Sequence, residues 1–206
     1  MSPIAHFMTS WLVAVGMCDD RRDVRLVALA GVVPDLDGLG VVVDIAAKLT
    51  GHEAPGWFER YHHLLLHGLT GCILVVLALV CFARHRLTVA VGAILAFHLH
   101  LACDLVGSRG PDPLDLWPIC YLSPFSKDPM WIWKHQWALD AWQNQLYAAV
   151  AMALCLWFSA KRGHSPLGVF HARADAVFIT VLRDWMGRLG LNILNAGPAN
   201  DSSEHR

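Results

Sequence analysis

The sequence is short of charge. Lys, Arg, Asp and Glu make up 16% of its 206 residues, where an ordinary soluble domain carries about 25%. Sixteen basic side chains against seventeen acidic ones leave a formal net charge of −1. No basic stripe is available to follow a phosphate backbone, which argues against a nucleic-acid binder. A disordered chain is excluded as well, since that class needs low hydrophobicity and 55% of this chain is apolar. The six cysteines, Cys18, Cys72, Cys81, Cys103, Cys120 and Cys155, include no CxxC pair. Four lie in apolar runs, where Cys behaves as a small hydrophobe, and free buried thiols are expected rather than a disulfide framework. No Lys or Arg precedes the apolar opening MSPIAHFMTSWLVAVGMC. It therefore lacks the positive flank of a cleavable signal and is expected to belong to the mature fold. Nucleophile elbow and P-loop are missing, and Gly38-Leu39-Gly40 lacks the strand–turn–helix setting of a dinucleotide fingerprint. No alternating strand pattern of useful length occurs, so the predicted fold is all-α.

What the chain has instead is long apolar runs. Residues 64–83 and 141–160 contain no formal charge, and residues 87–106 contain one, Asp104. Each is twenty residues, enough for a hydrocarbon core of about 30 Å. Two shorter runs, 7–17 and 26–33, precede them. Neither spans alone, and together they predict a partly inserted helical pair whose turn is buried in protein. The reading is a multi-pass membrane helical bundle.

Basic residues set its sidedness. Arg21, Arg22 and Arg25 lie between the two short runs, Arg84 and Arg86 between the first two long ones, and Lys161 and Arg162 after the third. With all three clusters cytoplasmic, the positive-inside rule holds throughout. His6, the Pro34–Asp37 turn, the 62–67 region and the 100–104 end of the second span then share the outer face. Four Trp within residues 131–142 suit a membrane interface. Residues 175–191 carry Val177, Phe178, Val181, Leu182, Trp185, Met186 and Leu189 at helical spacing, with Arg183 and Arg188 on the other side. This predicts an amphipathic helix, either on the cytoplasmic surface or packed on the bundle. The predicted organisation is thus a membrane-embedded domain over 1–160, a cytoplasmic amphipathic segment over 161–194, and a frayed tail over 195–206.

Chemistry concentrates on His and Asp. His100 and Asp104 are four apart and share a helix face. An ionisable group inside a membrane run is costly and usually functional. His98, roughly 200° around the helix from His100, faces away. Pro34 and Gly38 bracket Asp35 and Asp37; one Asp suffices as a helix cap, which leaves a second carboxylate for another task. His62, His63 and His67 crowd six residues at the mouth of an apolar run. His6 stands alone near the N-terminus. Paired acids beside several His are what a divalent metal site uses.

An early His, a PDxD turn, an H-x4-H motif, an H-x3-D motif and a WP…PFS segment, in this order, resemble the bacterial YdjM-like family of membrane-bound metal-dependent hydrolases. The matching residues are His6, Pro34-Asp35-Leu36-Asp37, His62 with His67, His100 with Asp104, Trp117-Pro118 and Pro124-Phe125-Ser126, so the resemblance covers residues 1–160. It implies an all-α fold, distantly similar to zinc phospholipase C and P1 nuclease, in an inner membrane. One departure is local. The family's H-R-G-x-T-H-S reads His62-His63-Leu64-Leu65-Leu66-His67-Gly68 here, and leaves open which of His62 and His63 is the ligand.

The resulting expectation is an integral membrane hydrolase of an ester or phosphoester, a membrane lipid included. One or two divalent ions would be held by His6, Asp35, Asp37, His62, His67, His100 and Asp104. Zinc leads from the His-rich set, with manganese or iron as the other choices. Asp37 is the expected proton acceptor for the metal-activated water. The alternative is a membrane protein that binds metal through the same cluster and catalyses nothing, as a closed coordination shell would dictate.

Overall fold

The computed structural model describes residues 1–58 and 66–191. His62 and His63 therefore lie outside the described residues, as does the 195–206 tail. The chain is mostly helical, and its contacts divide it into two compact units, Met1–Cys155 and Leu156–Arg206.

In the first unit, α1 (Pro3–Met17) starts where proline at the first position forgoes an amide no helix would satisfy. Ser2 caps it by accepting the Ala5 amide. Asp20 caps α2 (Arg21–Ala30) by accepting the Arg22 and Asp23 amides. A 3-10 helix (Val33–Leu39) opened by Pro34 carries Asp35 and Asp37 and runs into α3 (Gly40–Leu49). Then come α4 (Leu69–Phe82) and α5 (Arg86–Gly107). A loop region follows, with a two-residue antiparallel pair, β1 (Ile119–Cys120) and β2 (Met130–Trp131). Strands that short leave no alternation to read, so the all-α expectation passes over them. Helix α6 (Trp142–Arg162) begins in the first unit and ends in the second. The second unit continues with a 3-10 turn (Pro166–Val169) and α7 (Ala172–Arg188).

The core of the first unit lies where α1, α2 and α4 pack on α5. Small residues let the axes approach: Ala14, Ala28, Ala30, Ala93 and Ala96 are buried, and Trp11, Phe97 and Leu101 fill the remaining space. Gly31 is the tightest point. A Cβ there would stand 1.7 Å from Ser10 Oγ and 3.2 Å from the Ala96 carbonyl oxygen.

At the N-terminal end of α5, buried Asp23 accepts the amides of Arg84 (2.8 Å) and His85 (2.9 Å) and pairs with the His85 ring (2.8 Å). Asp20 pairs with Arg84 at 2.7 Å. The first two basic clusters of the sequence are thereby joined at one end of the unit.

Among the described residues one helix, Arg86–Gly107, is long and apolar enough to cross a membrane. The bent pair Arg21–Ala30 and Val33–Leu49 passes the same test only if taken as one broken span, with 47° between its halves. Among the described residues of the 64–83 run, helix covers the fourteen of α4, about 21 Å. The reason is Gly68, which is extended (φ −161°, ψ −173°) and lies against the Tyr121 carbonyl, where a Cβ would come within 2.6 Å of the oxygen. Helix α6 is long enough, but Gln143, Asn144 and Gln145 occupy its first turn and Lys161 and Arg162 its last. The outer faces of α4 and α5 are nonetheless apolar and exposed, at Leu74, Leu77, Leu87, Val91 and Leu95.

All six cysteines are free, and four of them are buried. Burial and the carboxylates of Asp23, Asp19 and Asp20 push the Cys18 thiol up to about 11.

Candidate metal centre

The site forms near the C-terminal end of α5, roughly 21 Å along the helix from Arg86. His100 and Asp104 share one face as their i,i+4 spacing requires, with His100 Nε2 3.0 Å from Asp104 Oδ2. His6 comes in from α1, and its Nε2 is 3.0 Å from Asp104 Oδ1. The His6 and His100 rings overlap with centroids 3.9 Å apart. Asp35, on the 3-10 helix, has Oδ1 3.8 Å from His100 Nε2. His6, Asp35, His100 and Asp104 each offer a ligand atom within 4.8 Å of the others, so this group can hold a metal ion. His6, His100 and Asp104 are buried, and Asp35 is partly open.

His67 joins from the segment just before α4. Its Nε2 is 3.2 Å from His100 Nε2 and 3.5 Å from Asp104 Oδ2. Asp37 does not face the same point: its Oδ2 is 3.0 Å from His67 Nδ1 and accepts the Leu66 amide at 3.2 Å. Asp35 and Asp37 thus split, one toward the His100–Asp104 pair and one behind His67.

The partners of the two Nδ1 atoms assign the tautomers. His100 Nδ1 is 2.8 Å from the Gly31 carbonyl oxygen, which can only accept. His67 Nδ1 likewise faces a carboxylate. When both rings are neutral with the proton on Nδ1, both Nε2 atoms present lone pairs toward Asp104 Oδ2. Without a metal, a second proton on His67 fills that place: burial opposes it, but the hydrogen bonds to Asp104 and Asp37 outweigh burial and push it up to about 9. Three acceptors at 3.0, 3.2 and 3.5 Å from one another repel unless a cation or a proton lies among them. Zinc bonds of about 2.0–2.1 Å in tetrahedral geometry place neighbouring ligand atoms roughly 3.3 Å apart. The spacing fits. Buried Asp35 Oδ2 and His6 Nδ1 have no hydrogen-bond partner among the described residues, so Asp35 keeps a carboxylate oxygen free. A carbonyl or carboxylate that holds a histidine at Nδ1 and leaves Nε2 inward is the usual outer-shell partner of a metal-binding histidine.

Three participants escape a sequence reading. The Gly31 carbonyl fixes His100, and nothing local marks a glycine backbone for that role. Ser108 Oγ donates to Asp104 Oδ1 at 2.7 Å, and the Met1 amine binds the same oxygen. For Ser108 a signal existed, because it lies four residues after Asp104 on the same helical face. His98 points away, to the Ile94 carbonyl (2.8 Å) and the Tyr121 hydroxyl (2.9 Å). The WP…PFS segment is organised around that tyrosine: Trp131 stacks on Tyr121 at 4.3 Å, and the Tyr121 carbonyl accepts the Leu69 amide at 2.8 Å.

The chain matches no protein-family model, no curated protein and no solved structure.

Proposed function

We propose that the protein is an integral membrane metal-dependent hydrolase of the kind its motifs resemble, acting on an ester or phosphoester and most naturally on a lipid that reaches the site from the bilayer. The observation that carries this reading is the meeting of His67 Nε2, His100 Nε2 and Asp104 Oδ2 within 3.0–3.5 Å of one another. Beside them Asp35 Oδ2 is left without a partner among the described residues.

In this proposal His67, His100 and Asp104 would hold the ion, with His6 and Asp35 beside it and one position left for water. Zinc suits the three His; manganese or iron suits the carboxylates. A divalent ion bound there lowers the pKa of a coordinated water and supplies hydroxide at neutral pH. Asp35 accepts and returns the proton at Oδ2, because Asp37 Oδ2 is already engaged by His67 and the Leu66 amide. Asp37 orients His67 instead. The Gly31 carbonyl does the same for His100, and Ser108 steadies Asp104.

Placement in a membrane is part of the proposal. Its support is the apolar length of Arg86–Gly107, the exposed apolar faces of α4 and α5, and the joining of two basic clusters at the end of α5 opposite the site. With that basic end cytoplasmic, the site opens toward the outer face. A multi-pass arrangement in an inner membrane follows if α4 and α6 cross together with α5.

The test is metal content by mass spectrometry on the detergent-purified protein, wild type beside Asp104→Ala. One or two equivalents of zinc, manganese or iron in the wild type, lost in the variant, is the expected result. Phospholipid and phosphodiester substrates are then screened. Absence of metal from both samples would reduce the cluster to a structural hydrogen-bond network and sink the hydrolase reading with it.

A further inference from the structure

Helix α7 has more apolar surface than its own unit covers. On one face Leu182 and Met186 pack with Ala160, Leu156 and Phe178, and Ile179 is buried beside them. The neighbouring stripe is bare. Val177 is 66% exposed, Val181 61%, Trp185 56% and Leu189 57%. These four are spaced four residues apart, so they sweep an arc of roughly 120° along the helix.

Charge lies along the edge of that stripe. Arg173 and Arg188 fall within roughly 40° of Val177 around the helix, so Arg188 borders the apolar stripe and is not on the opposite side as expected from the sequence. Residues 156–191 hold five basic side chains, Lys161, Arg162, Arg173, Arg183 and Arg188, against two acidic ones. One acid is buried and the other offsets Arg188, so Arg173 carries the net charge of the edge. Asp175 is buried and accepts from the Ser165 amide and hydroxyl, both at 2.7 Å. Asp184 is paired with Arg188 at 2.9 Å. Arg183 is turned inward, its Nε donating to the Ala160 carbonyl at 2.8 Å, which anchors α7 with its stripe outward.

We infer that the Val177–Val181–Trp185–Leu189 stripe is a docking surface for an anionic lipid leaflet, with α7 lying in the interface plane and its basic edge among the headgroups. An apolar arc including a Trp and bordered by Arg is the pattern of an interfacial helix, and anionic headgroups add attraction for each basic side chain near the surface. A soluble-protein partner without acidic groups would leave the cationic excess unexplained. The inference rests on the membrane reading only in supposing that a bilayer is at hand.

The experiment uses the full chain in vesicles, with Cys81 and Cys120 changed to Ser and an environment-sensitive fluorophore on V181C or A176C. Position 176 is exposed and roughly 140° around the helix from 181. In vesicles of phosphatidylcholine with a quarter phosphatidylglycerol, the label at 181 should be quenched by doxyl lipid about threefold more than the label at 176. It should also be shielded from aqueous cobalt. Pure phosphatidylcholine should remove most of the difference. Equal aqueous quenching at both positions overturns the inference. So does shielding at 181 that fades as protein is diluted into lipid, because a second copy then covers the stripe. Alkaline carbonate extraction of the same vesicles separates the two claims. An extractable chain with a shielded 181 keeps the docking surface and removes the membrane spans; a resistant chain with an aqueous 181 does the reverse.

Discussion

His67 and His100 face each other through their Nε2 atoms at 3.2 Å, while each Nδ1 is held from behind, by Asp37 and by the Gly31 carbonyl. Neutral in these tautomers, the two rings have only lone pairs to offer one another and Asp104 Oδ2 adds a third, so either a metal or a second proton on His67, which is pushed up to about 9, lies among them. His67→Ala, His100→Ala and Asp104→Ala should each remove bound metal from a chain that still folds. Mass spectrometry of the purified variants checks this, and stoichiometric metal in all three would mean that the ligands lie elsewhere.

Asp37→Asn separates the two carboxylates of the Pro34–Gly38 turn. An amide in place of the carboxylate weakens the hold on His67 Nδ1 without removing a proposed ligand. Metal affinity should fall about 10- to 100-fold, the usual cost of losing an outer-shell partner. Chelator competition measures it. Complete loss of metal would make Asp37 a direct ligand.

Gly31→Ala puts a methyl 1.7 Å from Ser10 Oγ and 2.8 Å from Ser10 Cβ. Overpacking of this kind costs about 1–3 kcal/mol, and it moves the carbonyl that orients His100. Thermal unfolding in detergent should show a lower midpoint and reduced metal retention. A second change, Ser10→Gly, vacates both atoms and should recover much of the metal retention.

Asp23→Ala strips the amides of Arg84 and His85 of their acceptor at the opposite end of α5. Each buried donor left unpaired costs about 1–3 kcal/mol. The variant should unfold at lower temperature yet bind metal normally while folded, since the cluster is far along the helix. Coupled loss of metal at temperatures where the fold is intact would link the two ends.

Reporter fusions after Arg86 and after Ser108 bracket α5. If that helix crosses a bilayer, the first reports cytoplasm and the second the outer side. A cytoplasmic signal from both would remove the crossing.

Several features were legible because they are periodic or local. The i,i+4 pair His100 and Asp104 must share a face wherever a helix forms, and the apolar length of α5 follows from composition. The fate of the 64–83 run was less legible. Hydropathy averages over Gly68, whereas the chain breaks there because a residue without a Cβ can lie on the Tyr121 carbonyl.

The sequence by itself determined which groups were available: His and Asp in apolar surroundings, basic residues in three clusters, and an amphipathic end. Only the tertiary structure decided their roles. Asp35 and Asp37 are two residues apart on a 3-10 helix, so their side chains diverge. One meets His100 from α5 and the other meets His67 from before α4. That division depends on where two other segments pack, and no spacing within the turn encodes it. The same holds for Gly31, whose part at the site is a carbonyl direction set by the close approach of α1 and α5.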